Sequence, residues 1–190
     1  MYSQSAESIM KNRVKYGIIA GLIATWSIST AIAASEFELG LPISTFYAII
    51  GVSIGDNDLS SAAYLGFGLH LLTGGILGMI IGIASSFIAV KVPMNPYKSL
   101  LMGIGTGIGV WLVLFLPVTV LLVQPSIDRI TLLLADREAF SGDMSQAIVG
   151  ISLSAIAFHI IWGAVFGYVF SSLARIKAYR LDLAKDHSLA

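Results

Sequence analysis

The chain has 190 residues, of which 56% are hydrophobic and 12% charged, with zero formal net charge and a mean hydropathy of +0.87. Soluble domains carry about 25% charged residues, so this composition belongs in a bilayer, and no basic face is present to bind nucleic acid. The lack of cysteine excludes disulfides, thiolate metal sites, iron–sulfur ligation and a cysteine nucleophile.

Residues 1–15 make a polar head that ends in Lys11, Arg13 and Lys15. Residues 16–35 follow without a charge, about the length a helix needs to cross the hydrocarbon at ~1.5 Å per residue. The same run has the pattern of a secretory signal, because a basic start and an apolar core lead to Ala31-Ile32-Ala33. It is longer than a usual signal core of about 7–15 residues, which favours a retained first span over cleavage.

Residues 36–59 form a connection with Glu36, Glu38, Asp56 and Asp58 and no basic residue. Its apolar middle, broken by Pro42, Gly51 and Gly55, is expected to lie in the interface or re-enter the membrane without spanning it. Asp56-Asn57-Asp58 reads as solvated surface, with a divalent-ion site as the alternative. Residues 60–90 are the second span, long enough to imply tilt or a protruding end. Residues 91–98, with Lys91 and Lys98, make a basic turn.

The third span, residues 99–123, carries Gly103, Gly105, Gly107 and Gly109 and then Pro117, which kinks a helix unless neighbouring groups satisfy the freed carbonyl. In the second connection, residues 124–146, Ile127, Ile130, Leu133 and Leu134 recur at helical spacing and predict a surface helix. Residues 147–174 are the fourth span and 175–190 a polar tail. Head, middle turn and tail hold nine of the eleven Lys and Arg, whereas the two long connections hold eight of the eleven Asp and Glu. The positive-inside rule then places both termini in the cytoplasm.

His70 is followed by Gly74, Gly78 and Gly82 as His159 is followed by Gly163, Gly167 and Ser171. Each half also has a basic lead, a tryptophan in its first helix (Trp26, Trp111), an early proline in its connection (Pro42, Pro125) and a Gly-Asp pair (Gly55-Asp56, Gly142-Asp143). The expected fold is an all-α integral membrane protein of four transmembrane helices, arranged as two pseudo-symmetric hairpins, residues 16–90 and 99–174, about an axis along the membrane normal.

Glycines four apart let helix backbones approach closely in lipid. Gly17 with Gly21, Gly74 with Gly78 and Gly82, Gly103 with Gly107, and Gly163 with Gly167 supply one such face per helix, for packing within the chain or against another subunit. His70 and His159 are the ionisable residues inside spans, and such residues are functional candidates by default. They serve as ligands for haem or copper, as a proton relay, or as hydrogen-bonding groups that lock two helices. Two histidines fall short of a zinc site, no motif calls for a cofactor, and neither H-E-x-x-H nor G-x-S-x-G is present. No predicted span contains Asp, Glu, Lys or Arg, which argues against an ion-coupled pump. Tyr64, Ser85, Ser86, Thr106, Ser152 and Ser154 are the other polar side chains of note there, and His187 lies in the tail.

The segment His159-Ile160-Ile161-Trp162-Gly163-Ala164-Val165-Phe166-Gly167-Tyr168-Val169-Phe170 resembles the H-L-x-Y-G-x-x-x-G-x-x-Y signature of small prokaryotic membrane proteins related to the YagU-like group. His70 to Gly78 and Gly17 to Thr25 are similar to the corresponding glycine-rich helices, so the likeness covers residues 15 to 173. Trp162 where tyrosine is common, and the pair Gly74-Gly75, depart from it. The resemblance implies a multi-pass protein of a prokaryotic cell membrane and transfers no catalytic residue.

The leading expectation is a non-catalytic structural or accessory subunit, associated with lipid and with other membrane subunits or copies of itself through glycine-rich faces. The extra subunits of archaeal ammonia monooxygenase exemplify that class, on composition alone. The alternatives are a bis-histidine haem or copper redox protein, with His70 and His159 as joint ligands, and an oligomeric small-solute permease.

Overall fold

The computed structural model describes residues 2–87, 96–135 and 144–187; Lys91, Arg137 and the Gly142-Asp143 pair lie outside the described residues. Every element among them is helical. In chain order they are α1 (Tyr2–Glu38), α2 (Thr45–Ser53), α3 (Leu59–Phe87), α4 (Pro96–Val110), the three-residue α5 (Leu116–Val118), α6 (Ile127–Ala135) and α7 (Met144–His187). Four stretches, Met10–Glu38, Leu59–Phe87, Tyr97–Leu133 and Val149–Ile176, are long and apolar enough to cross a membrane. The chain is an all-α, multi-pass membrane protein.

Several boundaries differ from the sequence reading. The polar head is the first part of α1, which starts at Tyr2. The third span runs past residue 123, because Pro125 sits in a single 3-10 turn, Gln124–Ser126, whose flanking residues keep helical dihedrals. Pro117 is likewise absorbed: π turns at Trp111–Phe115 and Thr119–Val123 flank it, with the Leu116 N–H bonded five residues back to the Trp111 carbonyl. Proline cannot donate and crowds the preceding turn, and a widened turn accommodates both.

The predicted surface helix is α6, and its apolar side is covered. Ile130 is 1% exposed, among Leu41, Ala48, Ile49, Val52 and Ala62 of the first connection and α3. Only the opposite face, with Leu132 71% exposed, is open. At nine residues, α2 spans about 14 Å at ~1.5 Å per residue, too short to cross ~30 Å of hydrocarbon.

The bundle is built from two antiparallel crossings, α1 on α3 and α4 on α7, joined where α1 packs on α7. Both crossings bring backbone onto backbone. A Cβ on Gly21 would strike the Gly74 carbonyl oxygen and lie 3.2 Å from the Gly78 Cα; one on Gly103 would strike the Gly163 carbonyl oxygen and lie 3.0 Å from the Gly167 Cα. Gly78 is closed off by the Gly17 carbonyl as Gly167 is by the Ser99 carbonyl. Gly82 meets the backbone of Arg13, and Gly107 meets the carbonyl of His159. All nine glycines singled out in the sequence therefore lie in contacts within the chain, whereas Gly68, Gly105 and Gly109 have open space where a Cβ would be.

The crossings match with Gly21 equivalent to Gly103, so Thr25 corresponds to Gly107, and on the partner helices Trp162 corresponds to Thr73. In this register Trp26 and Trp111 are not counterparts. Thr25 and Trp162 meet across α1 and α7, the indole N–H donating to the Thr25 hydroxyl at 2.9 Å in a buried setting. Below this bond Trp162, Phe166 and Phe170 stack along α7, with centroids 5.2 and 5.7 Å apart, and pack with Ala20 and Ala24 of α1. The corresponding positions, Gly107 and Thr73, are too small to make such a bridge. Accordingly α3 and α4 make no comparable approach among the described residues.

Placing a methyl at Gly103 should disrupt the α4–α7 crossing, since the obstructing atom is a backbone oxygen that cannot rotate away. We expect Gly103→Ala to lose about 1–3 kcal/mol, the usual scale of overpacking, while Gly105→Ala is neutral or slightly stabilising. Thermal unfolding of the two variants in the same detergent checks this.

Candidate functional site: a histidine-lined cavity

Where α3 and the third span stay apart, a cavity of about 250 Å³ lies in the bundle, walled by α1, α2, α3, the third span and α7. His70 and His159 both line it, from helices in different halves of the chain, together with Thr25, Thr73, Thr119, Ser152 and Trp162. The remaining lining is aliphatic or phenylalanine, apart from Gly74. The volume is below the ~300–1,000 Å³ of pockets for drug-sized molecules, and too small for a porphyrin without the helices parting.

The His70 ring packs against Phe46 and Tyr47, with centroids 6.1 and 5.4 Å away, and its Nε2 is buried without a hydrogen-bond partner among the described residues. The His159 ring leans on Phe115 at 5.2 Å, and its Nδ1 lies 2.7 Å from the Ala155 carbonyl oxygen one helical turn back. A carbonyl can only accept, so this nitrogen carries the proton and Nε2 is the one left to the cavity.

The helix α2 forms one wall. Its Phe46, Ile49 and Ile50 line the cavity, and its Thr45, Tyr47 and Ala48 line an open groove of about 620 Å³ shared with Trp26, Tyr64 and Phe67. Two groups hold it in place. Glu36, 2% exposed, accepts the N–H groups of Ser44 at 2.8 Å and Phe46 at 2.6 Å, placing a carboxylate on the first turn of α2, where helix polarity favours an anion. Beyond its other end Arg129 donates to the carbonyls of Gly55 at 2.9 Å and Asp56 at 2.8 Å, and to the Asn57 side-chain oxygen. Close packing on α3 completes the seat: a Cβ on Gly51 would strike Ala62, and one on Gly66 would strike the Tyr47 carbonyl.

The Asp56-Asn57-Asp58 cluster is committed to this local structure. Asp58 caps α3 by accepting the N–H groups of Ser60 and Ser61, both at 2.9 Å. Asp56 accepts from the Asp58 N–H at 3.0 Å and the Ser61 hydroxyl at 2.8 Å, bonds that hold its carboxyl below the usual range. No group of three or more His, Asp or Glu side chains suited to a metal occurs among the described residues. Of the hydroxyls noted in the sequence, Ser85 and Ser86 bond the Gly82 carbonyl, Thr106 bonds the Met102 carbonyl, Tyr64 is on the open groove, and Ser152 lines the cavity.

Sequence reasoning brought out the two histidines and missed Thr25, Glu36, Arg129 and Trp162. In sequence Glu36 reads as part of an acidic connection, yet it sits at the end of an apolar helix, eight and ten residues before the N–H groups it binds. Compared with known proteins, the chain matches no family model, no curated protein and no solved structure.

Removing the Glu36 carboxylate leaves two amides at the start of α2 without their partner. Glu36→Ala should raise hydrogen exchange at the Ser44 and Phe46 amides at least tenfold in lipid nanodiscs and lower stability by about 1–3 kcal/mol, with exchange in α4 unchanged.

Proposed function

We propose that the chain is a non-catalytic, membrane-embedded binding protein that holds one small, neutral, mainly apolar molecule in its central cavity. The observation that carries this reading is the convergence of His70 and His159, from two separate crossings, on one cavity whose lining is mainly apolar. A polar side chain at membrane depth is costly and is kept where it has work to do. An apolar pocket with a few convergent polar groups is the usual form of a small-molecule site. Haem is disfavoured by volume, and a copper ion would bring charge into a lining with two imidazoles and no carboxylate.

The distribution of Lys and Arg supports an orientation with both termini in the cytoplasm. The matched geometry of the two glycine crossings supports an origin by duplication of a helical hairpin, and the glycine pattern supports the likeness to the YagU-like prokaryotic proteins. A second reading, an accessory subunit or homo-oligomer, is favoured by the third span, which buries the smallest share of its residues of the four. With the nine glycines engaged inside the chain, a partner would meet that span instead.

The test is native mass spectrometry of the protein extracted from its own membranes in mild detergent. We expect one bound small molecule per chain, lost in the His70→Ala/His159→Ala double variant while the protein remains folded. A wild-type chain that flies without such a mass, in fixed ratio with foreign subunits, would replace the binding reading with the accessory one.

A further inference from the structure

We infer that the molecule held in the cavity is a small apolar alcohol or phenol whose single hydroxyl sits between the two imidazoles, donating to His159 Nε2 and accepting from the ring N–H of His70. This rests on the binding reading above and names its ligand class.

The donor is fixed by His159. With Nδ1–H given to the Ala155 carbonyl at 2.7 Å, the neutral ring can offer the cavity only the acceptor lone pair of Nε2. A ligand there must bring a hydrogen-bond donor, which ketones and ethers lack. The acceptor follows from His70, whose ring lines the same cavity; its Nε2 is sealed off without a partner among the described residues, which leaves Nδ1 as the ring nitrogen open to a ligand. With its proton on Nδ1 the neutral ring gives a donor that complements the acceptor of His159.

A hydroxyl is the smallest neutral group that supplies donor and acceptor at one atom. An amine would arrive as a cation and a carboxylic acid as an anion, and the lining holds no acidic or basic side chain other than the two imidazoles to pair with either. The rest of the molecule is mainly apolar, because side chains such as Ile28, Ile49, Leu69, Val110, Leu114 and Phe158 make up most of the lining. Thr73, where the matching crossing has Trp162, leaves the room it occupies.

The experiment compares three probes of nearly equal shape, benzyl alcohol, benzyl methyl ether and toluene, on the full-length protein in lipid nanodiscs with ¹⁵N-labelled histidine. At equal bilayer concentration, benzyl alcohol should bind about five- to tenfold more tightly than the ether, the scale of one buried hydrogen bond, more tightly still than toluene, and should move the ring nitrogen resonances of both His70 and His159. His70→Phe should keep toluene binding and lose the preference for the alcohol. Equal affinity for all three probes, or alcohol binding without histidine shifts, would overturn the hydroxyl assignment and leave the binding reading standing. Failure of every probe to bind would remove both. If His70→Phe does not fold, the comparison of alcohol with ether on the wild-type protein decides alone.

Discussion

The fold depends on helix backbones touching in a medium where burial of apolar surface gives no drive to associate. In lipid, helices are held by close packing and by polar contacts between them, and both crossings here reach the limit of that approach. The carbonyl oxygens of Gly74, Gly78 and Gly163 occupy the space a Cβ would need on the facing helix. Any other residue at these positions separates the helices, and dispersion attraction falls off steeply over a fraction of an ångström. The crossings therefore act as rigid joints from which the rest of the bundle is hung.

Two similar crossings could have docked with equal contacts on both sides. They do not, because the positions that match in backbone geometry differ in side chain. Thr25 and Trp162 join α1 to α7 with a buried hydrogen bond and an aromatic stack, while Gly107 and Thr73 leave the other side unfilled. The missing volume becomes the cavity, and His70 and His159 line it from both halves of the chain. The difference between the two crossings makes the site.

The cavity also needs a wall, supplied by a helix too short to hold itself in place. Nine residues form only a few internal backbone bonds, and helices of that length are marginal alone. A buried carboxylate at its start and a guanidinium beyond its end satisfy the amides and carbonyls that a short helix leaves open. These two groups come from α1 and α6, so the position of α2 reports the packing of both neighbouring spans. Phe46, carried on that first turn, is one of the two residues, with Tyr47, whose rings meet His70.

Much of the architecture was legible from sequence. Long uncharged runs fix helices that cross a bilayer, and glycines four apart fix a narrow face, because both depend on residues near one another along the chain. Helix ends are less legible, since Pro125 looks like a break until the 3-10 turn that absorbs it is seen, and Pro117 like a kink until the flanking π turns are. Only the tertiary structure decided that His70 and His159 share one cavity, that Glu36 caps α2 across ten residues, and that Thr25 bonds Trp162 across 137. Those contacts depend on which faces of distant helices meet, and that is set by side-chain volumes at matched positions, which no local pattern in the chain encodes.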